Sequence, residues 1–134
     1  MSERLSLLLC SPYVKRLGVI FDEHGDELTG ILPYAEQLVG NPLIPALHGG
    51  AIGAFMEITA SAGLLAAGEL ASLPKPIDVA VDYLRPARPS DVYARAAITR
   101  QGSRVANVRV EAWQERRSAP VATLHGHFLI KPAG

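Results

Sequence analysis

Residues 48–69 read HGGAIGAFMEITASAGLLAAGE, and this stretch decides the fold. Between His48 and Glu69 it holds one ionisable side chain, Glu57, in a run of mostly alanine, glycine, isoleucine, leucine, phenylalanine and methionine. A helix lying on a surface carries a charged face, and this segment has none. The pattern predicts a helix buried on most sides. A carboxylate drawn into such a place is costly unless it is paired, hydrogen-bonded or near water. Two glycines beside a histidine mark where the helix begins, leaving backbone N–H groups bare toward whatever lies there. The segment thus joins an anion-friendly helix start to a solitary acid two turns further on. Its apolarity also raises the question of a membrane span, against which Glu57, Thr59, Ser61 and the glycines argue.

Upstream, 1–16 is an N-terminal helical segment, with a short amphipathic helix over 3–16 and Pro12 as its break point. Leu7-Leu8-Leu9-Cys10 has a faint likeness to a lipoprotein cleavage site. The residue before the cysteine is not small, however, and Leu5, Leu8 and Leu9 fit one packed helical face instead. Leu17 to Phe21 reads as a strand, His24-Gly25-Asp26 as a turn, and Glu27 to Pro33 as the returning partner. Residues 34–47, punctuated by Gly40, Pro42 and Pro45, read as a loop that delivers the chain to His48.

Downstream, Pro74-Lys75-Pro76 ends the helical pattern and the period changes to two. Ile77, Val79, Val81 and Tyr83 alternate with Asp78, Ala80, Asp82 and Leu84. Val92, Ala94, Ala96 and Ile98 repeat the pattern, as do Ala106, Val108, Val110 and Ala112. Ala122, Leu124, Phe128 and Ile130 close the chain on one face. Sequential strands joined by short turns predict an antiparallel meander of four. About six strands in all, wrapped around one long helix, make an α+β layer pair.

At 134 residues, 49% apolar and 19% charged, the chain is expected to be a single domain, 1–134, with a sizeable core. Its formal net charge of zero provides no field to recruit nucleic acid or a membrane surface. The single cysteine, Cys10, excludes an internal disulfide, and no Cys/His spacing suggests a metal site. A cytoplasmic protein is expected.

The element order resembles the hotdog-fold acyl-CoA thioesterases, in particular their phenylacetate-pathway and 4-hydroxybenzoyl-CoA thioesterase-like branch. The residues that carry the resemblance are His48-Gly49-Gly50, Glu57 nine positions after the histidine, and Val79-Ala80-Val81-Asp82-Tyr83-Leu84-Arg85-Pro86. Arg100-Gln101-Gly102-Ser103-Arg104 and Val121-Ala122-Thr123 add to it, so that roughly residues 18–131 are covered. The resemblance implies hydrolysis of an acyl-CoA thioester without metal or redox cofactor, in a homodimer or a dimer of dimers. It makes Glu57 the base or nucleophile and Gly49 the backbone donor to the carbonyl oxygen. Relatives often carry an amide six residues before the histidine; Pro42 stands there in this chain, and Asn41 is the nearest amide.

Chemistry supports the assignment independently. Thioester hydrolysis builds negative charge on an oxygen, which a preorganised N–H at a helix start can meet. A carboxylate in a partly dry pocket suits base catalysis. Ser61, one turn past Glu57, shares its face. His48 is a candidate proton carrier, although bonding to backbone at the helix start is the preferred reading. Gly50 and Phe55 are candidates for substrate contact, and Arg85, Arg88 and Arg104 for the coenzyme A phosphates. Against these stand plainer readings: Glu57 as a structurally paired acid, the arginines as solvated strand-end charges, His125 and His127 as structural. Gly53 and Gly63, costly inside a helix, call for a close neighbour. The alternatives in function are a non-catalytic acyl-CoA-binding module and an acyl-thioester hydratase or dehydratase, though the loop before His48 lacks the histidine the latter needs.

Overall fold

A computed structural model describes residues 3–41, 43 and 45–133. Two short helices, α1 (Glu3–Leu9) and α2 (Pro12–Leu17), open the chain. The break falls at Pro12, which begins α2, and Gly18 closes α2 at φ 82° in the left-handed region that glycine favours. Leu5, Leu8 and Val14 are buried, whereas Cys10 is exposed. The first strand starts later than the periodicity suggests: β1 is Ile20–His24 and pairs with β2, Glu27–Leu32, across the turn at Gly25 and Asp26. The expected loop over 34–47 is more ordered than its punctuation implies. It contains a 3-10 turn, Glu36–Leu38, and a small ladder of β3 (Val39–Asn41) with β4 (Ala46–Leu47). Pro42 lies outside the described residues.

The long helix α3 runs Gly49–Ala67 and packs against the sheet on one side and α1 and α2 on the other. That double cover is why it needs no charged face. The helix is long and apolar enough to cross a membrane by composition, yet more than half of that window lies buried within the fold. Gly63 is explained by the sheet: a Cβ there would stand 2.9 Å from the Ala96 Cβ.

Strands β5 (Lys75–Tyr83), β6 (Val92–Gln101), β7 (Val105–Trp113) and β8 (Ala122–Leu129) follow. Ala106, Val108, Val110 and Ala112 of β7, and Ala122, Leu124 and Phe128 of β8, turn toward α3 at 0–2% exposure, so their period-two pattern is the inner face of the sheet. The sheet order is β1-β2-β6-β7-β8-β5, antiparallel throughout. This corrects the four-strand meander. Only β6, β7 and β8 form one; β5 lies at the far edge, beside β8. It runs back along α3 from the helix's C-terminal end toward its start, and residues 84–91, with Pro86 and Pro89, carry the chain across the sheet end to β6. Being an edge strand beyond the helix's full cover, β5 leaves Ile77, Val79 and Tyr83 exposed although they alternate as a core strand would. At the opposite side, β2 pairs with β6 only over Gly30–Leu32, and beyond that point Arg95 ties the two strands through Thr29 (2.9 Å) and Glu27 (3.1 Å).

Candidate active site at the start of the central helix

His48 is the N-cap of α3, at φ −64° and ψ 126°, and its Nδ1 accepts the Gly50 N–H at 2.9 Å. That bond requires an unprotonated Nδ1. The Gly50 N–H is therefore already engaged, and Gly50, a candidate for substrate contact, sits exposed beside the helix start with that donor taken. Ala51 and Ile52 donate to the His48 carbonyl. Among the described residues the Gly49 N–H has no acceptor, so it is the bare donor of the first turn.

The chain on either side holds this turn in place. The His48 N–H donates to the Leu38 carbonyl at 2.7 Å, and the Leu47 N–H to the Ala87 carbonyl at 2.9 Å. Gly40 packs directly on His48; a Cβ there would sit 3.1 Å from the His48 Cα. The backbone of Asn41, paired with Ala46, is brought next to the helix start by the same contact.

Gly49, Gly53 and Glu57 follow at four-residue intervals and form one stripe along α3, whose two glycines meet β5. A Cβ at Gly49 or at Gly53 would stand 3.3 Å from Tyr83, and the Tyr83 hydroxyl donates to the Gly49 carbonyl at 2.7 Å. Glu57 is half-buried, and no hydrogen bond or ion pair to another described residue engages its carboxylate. Its Cα lies about 12 Å along the helix axis from that of Gly49, and helical side chains lean toward the N-terminus, so the carboxylate approaches the free N–H. Ser61, the next position on the stripe, is buried.

Phe55 departs from expectation. It is fully buried, with its ring 3.2 Å from where a Gly30 Cβ would lie, under β2 and away from the glycine stripe. A cleft of about 390 Å³ opens at the helix start, lined by Leu47, Gly49, Ile52, Tyr83, Arg85 and their neighbours. Arg85 also borders an adjoining cleft of about 380 Å³ with Arg88, Ser90, Gln114 and Arg116. Arg85 and Arg88 are thus brought together near the site, whereas Arg104 lies apart, with Lys75 and Lys131, around a third cleft. Two residues were not singled out as site candidates in the sequence. Tyr83 is one. Gln114 is the other: its amide accepts the Arg88 N–H at 2.9 Å and donates to the Arg88 carbonyl at 2.8 Å, clamping the loop that carries both arginines. His127 is exposed and bonds Asp78 at 2.7 Å on the outer side of β8.

A family model described as the thioesterase superfamily matches residues 45–121. The chain is 30% identical over 123 residues to the medium/long-chain acyl-CoA thioesterase YigI of Escherichia coli, covering 79% of this chain and 77% of that one. A solved protein of Chromobacterium violaceum is 41% identical with a TM-score of 0.77, covering 98% of this chain and 91% of its own. A phenylacetic acid degradation-related protein of Ralstonia eutropha JMP134 shares the fold, with a TM-score of 0.78 at 23% identity over 95% of this chain and 99% of its own.

Proposed function

We propose, for a chain that belongs to the thioesterase superfamily and is a thioester hydrolase, that its substrates are acyl-CoA thioesters, split by water into free coenzyme A and a carboxylic acid. The observation that carries this reading is the stripe on α3: a Gly49 N–H and, two turns on, a half-buried Glu57 carboxylate, neither with a partner among the described residues. The Gly49 N–H, at the positive end of the helix, meets the oxygen that gains charge as the carbonyl becomes tetrahedral. Glu57 takes a proton from the attacking water and returns it to the leaving sulfur, so that a C–O bond replaces the C–S bond. Direct attack by the carboxylate, followed by hydrolysis of the mixed anhydride, uses the same two groups. Ser61, buried one turn past Glu57 on the same helix, is assigned to orienting the water; Asn41, the nearest amide in sequence to the helix start, is proposed for the same task.

Arg85 and Arg88 are assigned to the coenzyme A phosphates, with Arg116 beside them. Arg104 serves the same purpose only from a neighbouring subunit, since it lies across the sheet from the helix start. The open edge of β5, with Ile77 at 55% and Val79 at 38% exposure, supports a homodimer joined along that strand, and pairs of dimers. The likeness to YigI favours aliphatic medium or long acyl chains. A single unpaired thiol is in keeping with a cytoplasmic setting.

The test is free thiol release from a panel of aliphatic and aryl acyl-CoAs by wild type and Glu57→Ala. Cys10 is exposed and is replaced beforehand so that it does not consume the thiol reagent. Turnover that collapses in a folded Glu57→Ala variant is expected. Unchanged turnover would show Glu57 to be structural.

A further inference from the structure

The Gly49–Gly50 peptide is held at both edges. Its N–H donates to His48 Nδ1 at 2.9 Å, and its carbonyl accepts the Tyr83 hydroxyl at 2.7 Å. A helix carbonyl has two lone pairs, so the Tyr83 bond adds to the intrahelical one. The bare Gly49 N–H lies on the adjoining His48–Gly49 peptide, whose carbonyl accepts the Ala51 and Ile52 N–H groups. The two peptides are hinged at the Gly49 Cα, where glycine has no Cβ to limit rotation, so a fixed Gly49–Gly50 plane limits the freedom left to that N–H. The same tyrosine accounts for both glycines of the stripe, because a Cβ at position 49 or 53 would come within 3.3 Å of the phenol. The rest of the ring walls the cleft at the helix start, and the residue is 55% exposed, so core packing does not explain it.

We propose that Tyr83 is a positioning residue for thioester hydrolysis, whose hydroxyl locks the Gly49–Gly50 peptide and so keeps the Gly49 N–H aimed at the developing oxyanion. The proposal rests on the reading of Gly49 as the oxyanion donor. It assigns Tyr83 no proton transfer and no bond to the reacting atoms. A donor that is already oriented before the reaction is what oxyanion stabilisation requires, and a loosened one loses much of its effect.

The experiment compares wild type, Tyr83→Phe, Gly53→Ala and the double variant in steady-state hydrolysis of one acyl-CoA, with Glu57→Gln as the control. Tyr83→Phe retains the ring and removes only the hydroxyl. It should lower kcat about tenfold with little change in KM, because the lost interaction matters mainly in the transition state. Gly53→Ala crowds the hydroxyl and should lower kcat in the same direction. The double variant should be less impaired than the product of the two single effects, since both act through one bond. A kcat for Tyr83→Phe equal to wild type, or a rise in KM alone, overturns the proposal and leaves Tyr83 as a cleft wall. If Tyr83→Phe fails to fold, a Gly53→Ala variant that folds with wild-type kcat overturns it as well. Full activity in Glu57→Gln removes the underlying site reading, and the proposal with it; a dead Glu57→Gln with an unaffected Tyr83→Phe removes the proposal alone.

Discussion

Glu57 gives the sharpest test, because function and stability should move in opposite directions there. The side chain is half-buried on an apolar helix, its stripe neighbours are Gly53 and Ser61, and it has no partner among the described residues. Replacing it with methionine retains length and flexibility while removing the charge. Burying about 40 Å² more apolar surface contributes roughly 1 kcal/mol. Relief of an uncompensated, partly desolvated carboxylate adds about 1 kcal/mol. For a chain of this size the sum corresponds to a Tm higher by about 6 °C. Turnover should fall by about 10³-fold with the loss of the base. Differential scanning calorimetry and coenzyme A release, run on the same preparations, read both quantities. A Glu57→Met variant that melts below wild type would show that the carboxylate holds structure together. Retained turnover would show that the chemistry lies elsewhere. Either result refutes the reasoning.

Further outcomes follow from packing and assembly. Gly63→Ala should lower the urea midpoint by an amount equal to about 1 kcal/mol. Crowding against Ala96, whose Cβ would be 2.9 Å away, outweighs the helix propensity gained. Gln114→Ala frees the loop that bears Arg85 and Arg88, and should raise KM for acyl-CoA about fivefold while leaving an N-acetylcysteamine thioester, which lacks the nucleotide, unaffected. Val79→Lys places a charge on the open β5 edge and should shift sedimentation toward the monomer at micromolar concentration.

The sequence displays what depends on period and charge. The inner faces of β6, β7 and β8 were legible because each alternate residue meets α3, and α3 was legible because it lacks any charged face. The same uniformity hides its phase. On a helix apolar all round, nothing distinguishes Phe55, which lies beneath β2, from residues that border the cleft. Strand order was not legible either, since an alternating pattern at the edge looks like one at the centre, and β5 was misread for that reason. At the site, the acid and the helix start could be located, and the resemblance pointed to Gly49 as donor, but the physical reason that its N–H stays free while that of Gly50 does not was not legible. That depends on the His48 ring turning onto Gly50. Tyr83 looked like one more alternating strand residue; only the contact across to Gly49 distinguishes it.

The sheet order also sets a timetable for synthesis. Of the strands that cover α3 only β2 precedes it; β5, β6, β7 and β8 all leave the ribosome after it. At ~5–20 residues per second, the roughly 60 residues that follow α3 take on the order of 3–12 s to appear. Until then the most apolar segment of the chain has only α1, α2 and the β1–β2 hairpin to lean on, and the hairpin itself lacks β6, its partner in the sheet. The nascent chain therefore carries its most apolar helix only partly covered while the rest of the sheet is still being made. Truncation before Ala122 would leave β5 without β8 and the helix without its last cover, a species suited to aggregation and not to function.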